Sequence, residues 1–138
     1  MTLQPLLEAP LAVVLHVTTV VPAFVLGTWV LLASTRGSRA HRALGAVYLV
    51  LMTVTAVAAV FIRSYSDVSL AVGPLKLGLI HVFVPLTLHG VYGAVTSIGA
   101  GDVAGHQRAM ISVYFGGLII AGALAFTPGR LMYRMFLG

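Results

Sequence analysis

The sequence predicts an all-α integral membrane protein: a four-helix bundle made of two parallel two-helix repeats. Three observations carry this: a composition too apolar for a soluble domain, four long stretches without a charged side chain, and a histidine spacing that occurs twice. Of 138 residues only 8% are charged, against roughly 25% in an ordinary soluble domain. Apolar residues reach 59%, and the mean hydropathy is +1.05. The length fits a single domain, 1–138, and leaves little room for a separate catalytic module. Eight Lys or Arg against three Asp or Glu give a net charge of +5, which in a soluble chain would suggest nucleic acid. Here the basic residues sit singly or in a short cluster between apolar runs, where a membrane protein meets anionic headgroups, so lipids and not nucleic acid are the expected partners. Cysteine is absent, which excludes disulfides, thiolate metal sites and iron–sulfur clusters.

The charge-free stretches are Ala9 to Ser34, Ala43 to Ile62, Leu77 to Gly101 and Ala109 to Gly129. About 20 apolar residues at 1.5 Å rise cross a hydrocarbon core of roughly 30 Å, and the spans are placed at about 10–33, 42–62, 76–98 and 108–127. The first lacks a basic leader and its apolar run exceeds the core of a secretory signal, so it reads as a retained helix. Pro22 and Pro85 are expected to kink the first and third spans. The connections are short: Thr35 to Arg42 carries three Arg around Gly37 and Ser38, Arg63 to Lys76 carries Asp67 and the Gly73-Pro74 breaker, and Asp102 to Arg108 carries Gly105 and His106. Trp29, Tyr48, Tyr65 and Tyr133 are expected near span ends as an aromatic belt. Arg36, Arg39, Arg42 and Arg108 on one side balance Arg63, Lys76, Arg130 and Arg134 on the other. Weight given to the first hairpin places the termini outside the cytoplasm, in a bacterial inner membrane.

An internal repeat organises the chain. At an offset of 65, His16 falls on His81 and His41 on His106. The register then slips by one, so that Arg42 to Tyr48 lies over Arg108 to Tyr114. The helices end at Arg63 and Arg130, one further residue out. A tandem two-helix unit returns to the side where it began, which makes the halves parallel repeats about the membrane normal. His16 and His81 are therefore expected at one depth, some two turns inside one face, and His41 with His106 at the opposite rim.

The His41-Arg42-Ala43-Leu44-Gly45-Ala46-Val47-Tyr48 segment, Ile80-His81, His106-Gln107-Arg108-Ala109-Met110, Gly116-Gly117-Leu118, Ala121-Gly122 and Pro128-Gly129-Arg130 resemble a group of predicted bacterial membrane proteins, the domain of unknown function 2306 family. The likeness covers nearly the whole chain. One departure is Gln107, where a second basic residue is expected. The resemblance implies a polytopic helical membrane protein and no particular activity, so mechanism has to come from the residues.

Apart from Arg42, Lys76 and Arg108 at their first positions, the spans contain no Asp, Glu, Lys or Arg, which leaves a carboxylate proton relay, an ion-coupled site or paired-carboxylate catalysis without parts. No orienting acid exists at membrane depth for a Ser-His-acid set, and no catalytic residue is assigned. What remains is histidine, the one ionisable side chain that enters hydrocarbon as a neutral group near pH 7 and the commonest metal ligand. A pair from two helices at one depth can supply both axial ligands to haem iron. The leading reading is a b-type haem-binding transmembrane electron carrier with a redox partner or quinone, His16 with His81 being the first ligand pair and His41 with His106 the second, each as haem iron ligands. The competing reading is a cofactor-free accessory, lipid- or quinone-binding or scaffold protein whose histidines only join helices. His89 has no counterpart, Phe24 holding the equivalent position, and is expected in a structural role or an internal cavity. Gly116, Gly117, Ala121, Gly122 and Ala125 are read as a packing face.

Overall fold

The computed structural model describes residues 3–63 and 69–138; Tyr65 and Asp67 lie outside them. Four segments among the described residues are long and apolar enough to cross a membrane: Leu11–Leu32, Arg39–Val60, Leu79–Gly99 and Val103–Ala125. The first two are single helices, α2 (Leu11–Leu32) and α3 (Arg39–Val60), each of 22 residues, or about 33 Å at 1.5 Å per residue. The third opens with a 3-10 turn at Leu79–Val82 and continues as α4 (Phe83–Gly99). The fourth is α5 (Val103–Ser112), a π-helical stretch at Val113–Ile120, and α6 (Ala121–Ala125). Short helices α1 (Gln4–Leu7) and α7 (Leu131–Phe136) pack on each other at one end. Packing runs α2 on α3, α3 on α4, and α4 on α5 and the π stretch, and α2 meets the π stretch to close the bundle. The chain is an integral membrane helical bundle.

Each span buries one stripe and gives the rest to lipid. Ala23, Gly27 and Val30 of α2 face Tyr48 and Met52 of α3, Ala94 of α4, and Met110, Val113, Tyr114 and Leu118 of the last span. These residues recur every three or four positions, as a helix requires to keep one face inward. Val25, Val50 and Val95 sit on the outer faces.

Several boundaries differ from the sequence expectation. The third span begins later than residue 76 because Ser69–Val72 and Leu75–Gly78 form an antiparallel hairpin, β1 and β2, turned at Gly73-Pro74 with Gly73 at φ +57°. Gly78 is extended, and helix starts only after it. Pro85 therefore falls in the first turn of α4, where the N–H it lacks has no partner within that helix. Pro22 does lie inside α2, which continues across it. The fourth span begins earlier than residue 108, because the Asp102 carboxylate accepts from Gly105 N at 2.8 Å and caps the helix from Val103. Tyr48 is fully buried and not part of an interfacial belt.

The π stretch explains the second slip of the repeat. A run of i→i+5 bonds takes up one extra residue without leaving the helix. The halves lose one residue of register between Tyr114 and Arg130, the interval that contains Val113–Ile120. The first slip falls at Gln107, inside α5.

Candidate functional site

Four histidines sit at joints between elements. His16 Nδ1 lies 2.9 Å from the Thr55 carbonyl of α3, and as a carbonyl only accepts, the ring donates from Nδ1. Beside it the hydroxyls of Thr19 and Thr55 meet at 2.7 Å, giving α2 and α3 a second polar link. At the other rim His41 Nδ1 is 2.7 Å from Ser34 Oγ. That hydroxyl donates to Val30 O at 2.7 Å, so it accepts from the imidazole, which again carries its proton on Nδ1. His106 Nδ1 donates to the Ala94 carbonyl at 2.7 Å and ties α5 to α4. Each of these three rings keeps an Nε2 lone pair, the state in which a histidine with its other nitrogen held by a carbonyl binds a metal.

His81 is different. Its Nδ1 accepts from Gly78 N at 2.9 Å, so its Nε2–H donates to the Ile62 carbonyl at 2.8 Å. Ile62 lies just past the end of α3, where carbonyls lack helical partners. Both ring nitrogens are engaged in clamping the end of α3 to the start of α4. Ligation by His81 would require the ring to turn, leaving the Gly78 N–H without its acceptor.

His16 and His81 both line a cavity of about 1810 Å³ between the helices, with Val20, Met52, Ile80, Thr87 and Gly117 among its walls. Arg63, Arg130 and Arg134 also line it. His41 and His106 stand within electrostatic reach of one another and of Arg36. Among the described residues no three His, Asp or Glu side chains converge on a point that could hold a metal ion.

Three features had no clear sequence signal. With its amide oriented to satisfy both groups, Gln107 accepts from the Arg36 guanidinium nitrogens at 2.9 and 3.1 Å, joining the first loop to α5. That gives the unexpected Gln107 a reason: a basic residue there would repel Arg36. Tyr48 and Tyr114, at matched positions of the repeat, converge on Gly27, where an added Cβ would stand 2.7 Å from one ring and 3.0 Å from the other. Tyr114 OH bonds Thr28 at 2.7 Å, but the Tyr48 hydroxyl is buried with no partner among the described residues. His89 is exposed on the outer face of α4, not in an internal cavity, because Val84, Thr87, Gly90 and Ala94 take the buried face and His89 points the other way.

Neither a curated protein nor a solved structure matches the chain. The model of the predicted membrane protein family DUF2306 matches residues 13–135, from α2 into α7, and the chain belongs to that family.

Proposed function

We propose that this protein is a small transmembrane electron carrier that holds b-type haem between its two halves, with His16 and His81 as axial ligands. The supporting observation is that one histidine from each repeat lines the same largely apolar cavity. Haem supplies one-electron transfer at its iron. The chain's own residues would do the rest. Thr55 O fixes the His16 tautomer and ring orientation, and Met52, Val20 and Gly117, which line the cavity, would keep water from a bound macrocycle. His41 with His106 is the candidate second level, where Ser34 and Ala94 hold the Nδ1 protons in the same way. Two such levels would pass electrons across a bacterial inner membrane between a redox partner or quinone on either side, with the termini outside the cytoplasm by the Arg36, Arg39 and Arg42 cluster.

A second reading is favoured by one observation, the two hydrogen bonds that occupy both nitrogens of His81. In it the cavity takes a lipid or quinone and no haem, and the histidines only join helices. The absorption spectrum of protein purified from cells supplied with haem precursor, oxidised and dithionite-reduced, separates the two. The carrier gives a sharp reduced α band that disappears in His16→Ala and His81→Ala. A colourless preparation refutes it. A band lost in His16→Ala but kept in His81→Ala would leave His81 as a clamp and remove it from the ligand set.

A further inference from the structure

Four of the five histidines hold joints; His89 holds none. It is the central residue of the Leu79–Gly99 span, about 15 Å from either end at 1.5 Å per residue, and so lies near the bilayer midplane. Its side chain is exposed on the outer face and has no hydrogen-bond partner among the described residues. Tyr92, one turn on, is 68% exposed and is likewise without one. Other outward polar groups are satisfied within their own helices: Thr18 donates to Val14 O and Thr96 to Tyr92 O, each at 2.8 Å. Hydrocarbon offers no water to an imidazole and a phenol, and ionisable side chains within spans almost always face protein.

We propose that the His89–Tyr92 face of α4 is the interface with a second copy of this chain, related by a twofold axis along the membrane normal. The hydrogen-bonding chemistry of the face selects that occupant. Neutral imidazole and phenol each donate and accept, so two copies of the pair satisfy one another, as an isologous contact requires. Helical side chains slant toward the N-terminus, which brings the Tyr92 hydroxyl back to the depth of His89. Copies related by this axis run parallel, so the partner's imidazole stands at that same depth. No charged residue lies between Leu77 and Gly101, so nothing on the face matches a partner bearing a buried charge. Exposed Val82, Leu86 and Val95 supply apolar packing around the pair. The proposal is independent of any haem.

The chain has no cysteine, so a single introduced one reports the contact directly. Leu86→Cys is expected to form an oxidised dimer in native membranes and in proteoliposomes, while Val25→Cys on the outer face of α2 stays monomeric. Energy transfer between labelled copies in proteoliposomes, followed as lipid is added, is expected to show His89→Leu raising the dissociation constant about 3- to 20-fold, the range of interhelical hydrogen bonds in membranes. Leucine suits a lipid-facing position, and unchanged helical circular dichroism confirms that the variant folds. Three results would overturn the interface: a wild-type chain that is monomeric at every dilution, equal cross-linking at Leu86→Cys and Val25→Cys, or Leu86→Cys linking to a different protein in native membranes.

Discussion

Gly27 is where the bundle has least room, and Gly27→Ala tests the packing of the two tyrosines. A methyl there would stand 2.7 Å from Tyr48 Cε2 and 3.0 Å from Tyr114 Cδ2, whereas carbon atoms pack best at about 3.5–4.0 Å. One ring must move by nearly an ångström, and neither is loose. Tyr48 is fully enclosed; Tyr114 is held by Thr28 and stacks on Phe24 with centroids 6.3 Å apart. Overpacking of this kind costs about 1–3 kcal/mol, while alanine gains up to ~1 kcal/mol over glycine as a helix former. Gly45→Ala in α3, where an added Cβ meets nothing within 4 Å, carries the second effect without the first. The difference between the two variants is therefore expected to be about 1–3 kcal/mol against Gly27→Ala, read from reversible unfolding in mixed detergent micelles followed by circular dichroism. Tyr48→Leu in the Gly27→Ala background should recover part of it. Equal stability of Gly27→Ala and Gly45→Ala would refute the close approach of both rings to α2.

Two more substitutions probe polar groups. Tyr48→Phe deletes a buried hydroxyl that has no partner among the described residues, and since such a group costs about 1–3 kcal/mol, the variant should be as stable as the parent or more so; a clear loss in the same unfolding experiment would mean the hydroxyl is bonded in the membrane. Gln107→Lys replaces the acceptor of Arg36 with a like charge at a rim, so it should lower the melting temperature by the equivalent of about 1 kcal/mol or less. That loss should be larger in low salt, whereas Gln107→Glu shows no loss. A salt-independent effect would remove the Arg36 contact as its cause.

The spans were legible because hydrocarbon imposes a length and forbids charge, and both constraints are written in composition. That His16 and His81 line one cavity is compatible with the repeat, which sets helix order but not where the rings point. Boundaries were less legible. Asp102 reads as a loop residue until its carboxylate is seen to cap α5, and Gly78 lies inside an apolar run whose hydropathy does not reveal that it is extended. The π stretch left a trace in the slipped register, but a slip alone does not say where the extra residue is absorbed. The direction faced by His89 was not legible. The polar side chains of α4 fall on both faces, Thr87 buried and His89, Tyr92 and Thr96 exposed, so polarity alone does not orient it.

The histidine joints bear on both functional readings. A ring whose Nδ1 proton is held by a carbonyl stiffens a helix pair, and it also presents the lone pair that iron needs. Joining helices and binding haem are therefore not alternatives for His16 and His106, nor for His41, whose proton goes to Ser34. They are alternatives for His81 alone, because its Nε2 proton is the one spent on Ile62. Ligation by His81 would break that bond and the one from Gly78, at roughly 1 kcal/mol each, and would release the contact between the end of α3 and the start of α4. Loading would then be coupled to movement of the β1–β2 hairpin, which ends at Gly78. Amide hydrogen exchange at Gly78 should accelerate when haem is added if His81 becomes a ligand, and should stay unchanged if a lipid or quinone fills the cavity while His81 keeps its clamp.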